Sequence, residues 1–509
     1  MKRVHRRGEI SRSAGAEVQW TRRQMEANMT DLTIRTLDAT RTIPEETLAA
    51  LRGTLRGVAA LPGEDGYDAA RTIWNAMVDR RPAVVARCLG AGDIIEAVKL
   101  AREHDLLVAV RAGGHNIAGN AVCDGGLLID LSLMKSVRVD PASRTARVEP
   151  GATLADFDRE AQAFGLATPL GINSTTGVAG LTLGGGFGWT TRKFGLTIDN
   201  LLSADVVTSN GKFMRASETE HPDLFWALRG GGGNFGVVTS FEFRLHPLGP
   251  QVWSGLVVHP FDEATRLLPE FRRLADESPD ELTTWAVMRK APPLPFVPTE
   301  WHGKEVLIFA ACYSGDMAEG EKATRALRAL GKPIADVISP HSFVGWQAAF
   351  DPLLTPGARN YWKSHDFTDL SDAAIDVIVR AVRALPSPEC EVFIAHVGGA
   401  MSRVAPDATA WPNRRAHFTM NAHTRWRDEA LDSTCIAWAR SLYETAAPFA
   451  AGSVYINFMP EDESDRVENA YGANYRRLAE IKLRYDPDNR FRMNQNIRPA
   501  SGAVEANAR

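Results

Sequence analysis

The sequence predicts an α+β fold in two lobes, on three observations. Up to about residue 248, short apolar strand-like runs are joined by glycine-dense loops. At Pro247 to Pro250 the glycine clusters stop, and the stretch that follows, through Trp438, holds eight of the twelve tryptophans. From Tyr455 the chain turns motif-like again and closes on Tyr485-Asp486-Pro487-Asp488-Asn489-Arg490-Phe491-Arg492-Met493-Asn494-Gln495-Asn496. A chain of 509 residues is also longer than one hydrophobic core usually organises.

The elements follow in order. Val84 to Arg87 suits a short strand. Asp93-Ile94-Ile95-Glu96 then offers a capping-box-like helix start, with Ile94, Val98 and Ala101 on one face. Leu106 to Val110 is strand-like and delivers the chain into Arg111-Ala112-Gly113-Gly114-His115-Asn116. Leu127 to Leu131, after that loop, is again strand-like rather than an amphipathic helix. Thr145 to Glu149 reads as a strand and Gly151 as a turn. Thr153 with Asp156 starts a helix that runs toward Phe164. Between Gly171 and Gly236 glycines crowd together, and Asn210-Gly211 between two strand-like runs is a strong hairpin signal. Glycine at this density lets backbone amides press against a large flat ligand.

Composition excludes some partners. With 58 Lys+Arg against 62 Asp+Glu, the chain has no global field to gather nucleic acid or dock on an anionic membrane. No apolar run is long enough to span a bilayer. Cys88, Cys123, Cys312, Cys390 and Cys435 stand singly and in odd number, which fits reduced structural thiols. A cytoplasmic monomer or homodimer is expected. The first 28 residues carry arginines but no apolar core of a signal peptide, and read as a disordered extension with Met29 as a possible natural start.

Two glycine motifs compete for the chemistry. Gly231-Gly232-Gly233-Asn234-Phe235-Gly236 matches GxGxxG, but its context is reversed for a Rossmann unit, which needs a strand before and a helix after. Here Asp223 to Arg229 is helix-like and Val237 to Phe243 strand-like. No phosphate loop of the GxxxxGK type and no zinc-like spacing occurs, so no metal is expected. The loop from Arg111 to Asn116 is the better candidate. Its adjacent glycines leave N–H groups free to form an anion-binding concavity beside His115.

That loop, with Asp124-Gly125-Gly126 and Ile129-Asp130-Leu131-Ser132, resembles the flavin-attachment segment of the berberine-bridge-enzyme-like oxidoreductases. These belong to the vanillyl-alcohol-oxidase or para-cresol-methylhydroxylase type of FAD-binding protein. Gly177-Val178-Ala179-Gly180 through Gly188, Asp223 to Gly236, and Tyr485 to Asn496 agree with the family in the same order. The resemblance covers roughly residues 65 to 500 and implies a two-lobed FAD-binding domain of vanillyl-alcohol-oxidase type with an antiparallel-sheet substrate domain. It divides the chain into a partly disordered extension (1–64), an FAD domain (65–248), a substrate domain (249–449), a segment returning to the FAD domain (450–500) and a tail (501–509).

By the same likeness His115 would bond covalently to the flavin. Arg111, Gly113, Gly114, Asn116, Gly119, Ser132, Thr175, Thr176, Gly177, Gly180, Gly185 and Val237 would wall the cofactor. Many relatives add a second tether through a cysteine; Asn173 stands at the matching place here, so a single attachment is implied. Tyr455-Ile456-Asn457 resembles the segment that brings a tyrosine and an asparagine to the flavin face, with Tyr455 the candidate base and Asn457 beside it. A tyrosine of ordinary pKa is a poor base at neutral pH unless its surroundings lower it. Tyr361 and Lys363 would line the substrate side, and Asn494 and Asn496 would orient the flavin or the domain closure. The resemblance implies an oxidase that passes a hydride from a small organic substrate to FAD and electrons to O2. A dehydrogenase with another acceptor, or a drug-binding resistance protein, are the alternatives.

Overall fold

Three short runs rich in β-branched and small residues, Val84–Arg87, Leu127–Asp130 and Val108–Arg111, pair in parallel in that spatial order. In this computed structural model, which describes residues 31–501, Val58–Ala60 joins their sheet antiparallel at the Val84–Arg87 edge. The helix Ala91–Glu103 makes the crossover between two of the parallel strands and buries Ile94, Val98 and Ala101 against them. Asp93, expected near its start, is buried in its first turn and accepts the backbone N–H groups of Arg56, Gly57 and Leu89.

The lobe starts earlier than expected. Residues 32–60, placed by sequence in an extension ending at 64, form a hairpin of Leu32–Arg35 with Thr40–Ile43, the helix Glu45–Thr54 and the edge strand. Ile34, Ile43, Leu48 and Leu51 lie in the same core as the parallel strands. The family resemblance begins only near residue 65, so the sequence left them in the extension. The expectations for residues 1–28, Met29 and the end of the tail lie outside the described residues.

A second sheet of this lobe is antiparallel, in the order Phe213–Ser217, Leu201–Val207, Val237–Arg244, Thr145–Val148, Val137–Asp140. Gly211, at φ +78°, closes its Asn-Gly hairpin. Thr153 and Asp156 form the expected reciprocal cap of the helix Leu154–Gln162. The helix Pro222–Leu228 precedes Gly231–Gly236 and a strand follows, so the loop is no Rossmann turn.

The second lobe is built on a large antiparallel sheet in the order Ala335–Asp336, Gln251–Pro260, Glu305–Tyr313, Leu282–Lys290, Glu391–His396, Phe418–Trp426, Arg359–Phe367. The helices Ala264–Asp276, Asp372–Val382 and Asp432–Ala446 bury their apolar stripes on one face of it, against Ala286, Met288, Phe309, Val392, Ile394 and Ala422. Alternation then turns the intervening residues toward the first lobe. The chain finally returns: Val454, Ile456, Leu478, Ile481 and Ile497 pack in the first lobe's core. Asn75 stitches the lobes together. Its side-chain amide donates to the carbonyls of Ile117 and Asn360, at 3.1 and 3.0 Å, and its Oδ1 accepts the Asn360 N–H.

Candidate active site

Between the lobes lies a cavity of about 360 Å³. From the first lobe it is walled by Gly113, Gly114, His115, Asn116, Asn173, Thr176, Gly177, Gly180, Val237 and Asn494, all expected from the sequence. The glycines are there for space: a Cβ on Gly113 would sit 2.5 Å from Gly177, backbone against backbone. Gly232 and Gly233, set aside with the rejected Rossmann reading, also line the cavity. Their loop is held by Asn234, which donates to the Gly231 and Gln495 carbonyls and accepts the Ile497 N–H.

His115 opens to the cavity, yet sits deep in the molecule, stacked on Trp74 with ring centroids 5.2 Å apart. Burial pulls its imidazole down to about 4, against a smaller upward pull from Thr175, so the ring is neutral at neutral pH. A hydrogen-bond chain fixes its tautomer. The Thr175 hydroxyl donates to Asn173 Oδ1 at 2.7 Å and must accept from His115 Nε2 at 3.2 Å. Nε2 therefore carries the proton, and the Nδ1 lone pair is free of hydrogen bonds among the described residues. Asn173, read as the place of a missing tether, and Thr175, read as cofactor wall, together position this histidine.

Other expected wall residues stand behind the surface. Arg111 donates to the Asp130 carboxylate and the Thr72 carbonyl, and the Ser132 hydroxyl also donates to Asp130. Gly119 is packed against Val78, and Gly185 against Trp411. Asn494 and Asn496 each carry a buried Oδ1 with no hydrogen-bond partner among the described residues. Such orphaned acceptors and a glycine-lined cradle fit a large cofactor with amide and hydroxyl donors.

Tyr455 lines the cavity beside Asn457, as expected. Its oxygen accepts from Asn457 Nδ2 at 2.8 Å and from the Gly186 N–H at 3.1 Å. Burial outweighs those donors and pushes the phenol up to about 12. The surroundings that these residues provide therefore do not bring Tyr455 toward the range a base needs at neutral pH.

Tyr361 and Lys363 do not line the substrate side. Tyr361 donates to Asp462 and Lys363 to Glu463, on the face of the sheet turned away from the cavity. In a strand every second residue shares a face, and here Trp362 takes the cavity side. Four polar residues that no sequence motif marks also stand on that side: Arg289, Glu391, Asn421 and His423. Only the fold reveals them: all nine residues of the strand Phe418–Trp426 are buried, Asn421 and His423 among them.

The fold and this site define a class: the chain belongs to the berberine-bridge-enzyme-like FAD-linked oxidoreductases and is an enzyme of that class. The family model for an FAD-binding domain matches residues 82–217, and the one for berberine and berberine-like proteins matches residues 454–498. Among its relatives, (R)-6-hydroxynicotine oxidase of Paenarthrobacter nicotinovorans is 32% identical over 463 residues, covering 88% of this chain and 97% of the relative. An FAD-linked oxidoreductase of Dictyostelium discoideum is 30% identical over 452 residues, or 88% of this chain and 95% of the relative. The solved structure of 6-hydroxy-D-nicotine oxidase from Arthrobacter nicotinovorans superposes with a TM-score of 0.80 at 30% identity, covering 88% of this chain and 98% of that one. No helix among the described residues is long and apolar enough to cross a membrane, and none of their His, Cys, Asp and Glu side chains group as a metal site.

Proposed function

We propose that this enzyme is an oxidase that holds FAD by one covalent bond from His115, takes a hydride from a small organic substrate and passes the electrons to O2. The observation that carries the reading is the imidazole itself: neutral, deep, stacked on Trp74, with its proton fixed on Nε2 and its Nδ1 lone pair unengaged beside a glycine-lined cavity. A nitrogen prepared in this way would bond to a methyl carbon of bound FAD, the methyl group and the imidazole each giving up a proton and the two electrons passing through the flavin to O2. Bound FAD would supply the hydride acceptor and, reoxidised by O2, release H2O2. Gly113, Gly114, Gly177, Gly232 and Gly233 would hold it by backbone contacts, and Asn494 would accept a donor from it. Relatives named as oxidases of 6-hydroxynicotine and of xylooligosaccharides support a small-molecule substrate. Five free, buried cysteines fit work in the reducing cytoplasm.

The test is acid precipitation. Flavin fluorescence should stay with the denatured chain, and His115→Ala should release all of it to the supernatant. Yellow colour lost entirely from the wild-type chain would refute the covalent bond. Substrate-dependent bleaching of the flavin in the absence of air, followed by H2O2 on admitting air, supports the oxidase; bleaching without H2O2 would make it a dehydrogenase.

A further inference from the structure

Strand register places a row of four side chains across the second lobe's sheet. Arg289 lies opposite Glu391, Glu391 opposite His423, and His423 opposite Trp362, on four adjacent strands. All four face the cavity. Arg289 donates to Glu391 Oε2 at 2.6 Å, and His423 Nδ1 meets Glu391 Oε1 at 2.9 Å. Glu391 is 8% exposed and His423 4%. Burial opposes ionisation of Glu391, but Arg289 and then His423 overcome it and hold the carboxyl down to about 2. A carboxylate only accepts, so Nδ1 of His423 must carry a proton. With that proton on Nδ1, the ring's other nitrogen, Nε2, is the one that can take up a second proton; it is buried and has no hydrogen-bond partner among the described residues.

The neighbours of that atom describe a ligand. Trp362 meets the His423 ring edge-on at 4.6 Å between centroids, and Phe393 stands at 6.3 Å. Phe458 bridges this pair to Tyr455, at 5.6 Å from Trp362, 5.9 Å from Phe393 and 4.8 Å from Tyr455. In the next row of the sheet Asn421, fully buried, lines the cavity with both its amide nitrogen and its oxygen unpartnered. Arg289 and Glu391 cancel in charge, and Arg425 nearby is paired with Glu389, so this side offers no net field for an ion.

The geometry points to His423 as the group that accepts the substrate proton, with Glu391 and Arg289 as its positioning residues, and to a neutral hydroxylated aromatic as the substrate class. The aromatic ring lies among Trp362, Phe393 and Phe458, and Asn421 reads a polar substituent. For a benzylic alcohol the O–H bond breaks and its proton passes to Nε2. The O–H electron pair becomes the second bond of the new C=O, while the carbinol hydrogen leaves with its two electrons to the FAD assigned above. The imidazolium then returns the proton to water. This inference rests on the flavin reading.

The experiment uses flavin-loaded protein and para-nitrophenol, whose phenolate band is read as the difference between the spectra with and without the dye. At a pH one unit below the dye's solution pKa, the wild type should bind it as phenolate, and His423→Gln should bind it as colourless phenol. Anaerobic reduction of the flavin by benzylic alcohols should slow by roughly 100-fold or more in the variant, the scale of general-base catalysis. The alkaline rise of that rate with pH should vanish in His423→Gln and shift in Glu391→Gln. The charged or titratable groups facing His423 are Glu391 and Arg289 from neighbouring strands, Arg425 on its own strand, and Tyr455 and His115 further along the cavity. His423→Asn serves if the glutamine variant fails to load flavin. A phenolate band in the difference spectrum and an unchanged rate in a loaded His423 variant would overturn the proposal, as would failure of wild type to bind the dye. Wild type without flavin would instead refute the function proposed above.

Discussion

Tyr455 shows how a side chain's neighbours decide its role. Its oxygen takes two donors, from Asn457 and Gly186, and its own proton is held to about pH 12 because burial outweighs them. Tyr455→Phe should strand those donors at a cost of about 1–3 kcal/mol. Flavin reduction should slow by less than about tenfold, with the alkaline limb of its pH profile unmoved; stopped-flow bleaching across pH measures both. Were Tyr455 the base, that limb would disappear, because proton acceptance typically accounts for roughly 100-fold or more. At this scale the sequence was informative only in part. His115 was legible because a strand feeds its loop, and loop chemistry is local. The tie from Asn173 through Thr175 to His115 was not, because it depends on where a loop some sixty residues downstream comes to rest. The parity error at Tyr361 and Lys363 has a plain cause: alternation tells which residues share a face, and only packing tells which face is wet.

Among the elements, the closing helix Tyr475–Tyr485 ties the site together from behind. Lys482, fully buried, pairs with Asp486 at 2.7 Å and donates to the carbonyls of Asn234 and Phe491, so one ammonium joins the Gly231–Gly236 loop to the C-terminal segment. Lys482→Met leaves the Asp486 carboxylate without its cation. It should destabilise the protein by about 3–5 kcal/mol. The midpoint of urea unfolding and the ratio of flavin to protein absorbance should both fall. The strands and helices of the first lobe were legible because their apolar periods are short-range. The row from Arg289 to Trp362 was illegible, since its four strands pair in an order unlike their order in the chain. Residues 32–60 escaped notice because a strand hairpin with one buried residue in each arm carries little periodicity.

Across the whole molecule, the lobes meet through polar contacts as well as the cavity. Asp158 on the first lobe accepts from Gln347 Nε2 on the second at 3.0 Å and is buried. Burial raises its carboxyl to about 7, only partly countered by Gln347. The sign follows from proton linkage. The folded state binds this proton more tightly than the unfolded chain does, so the contribution to stability is full below pH 4 or so and is lost as pH rises through 7. The loss is on the order of a few kcal/mol. Asp158→Asn should remove this pH dependence and raise the melting temperature at pH 8 by several degrees, while leaving it little changed near pH 4; calorimetry at the two pH values checks both.

The stitch made by Asn75 bears on biosynthesis. One amide ties the loop that follows His115 to the strand Arg359–Phe367, so the segment carrying the histidine and the second lobe's edge strand are held in one register. The far end of the chain matters as much: residues 454–497 complete the first lobe's core and Asn494 its cavity wall, so the cradle for a dinucleotide is whole only when the last-made segment is in place.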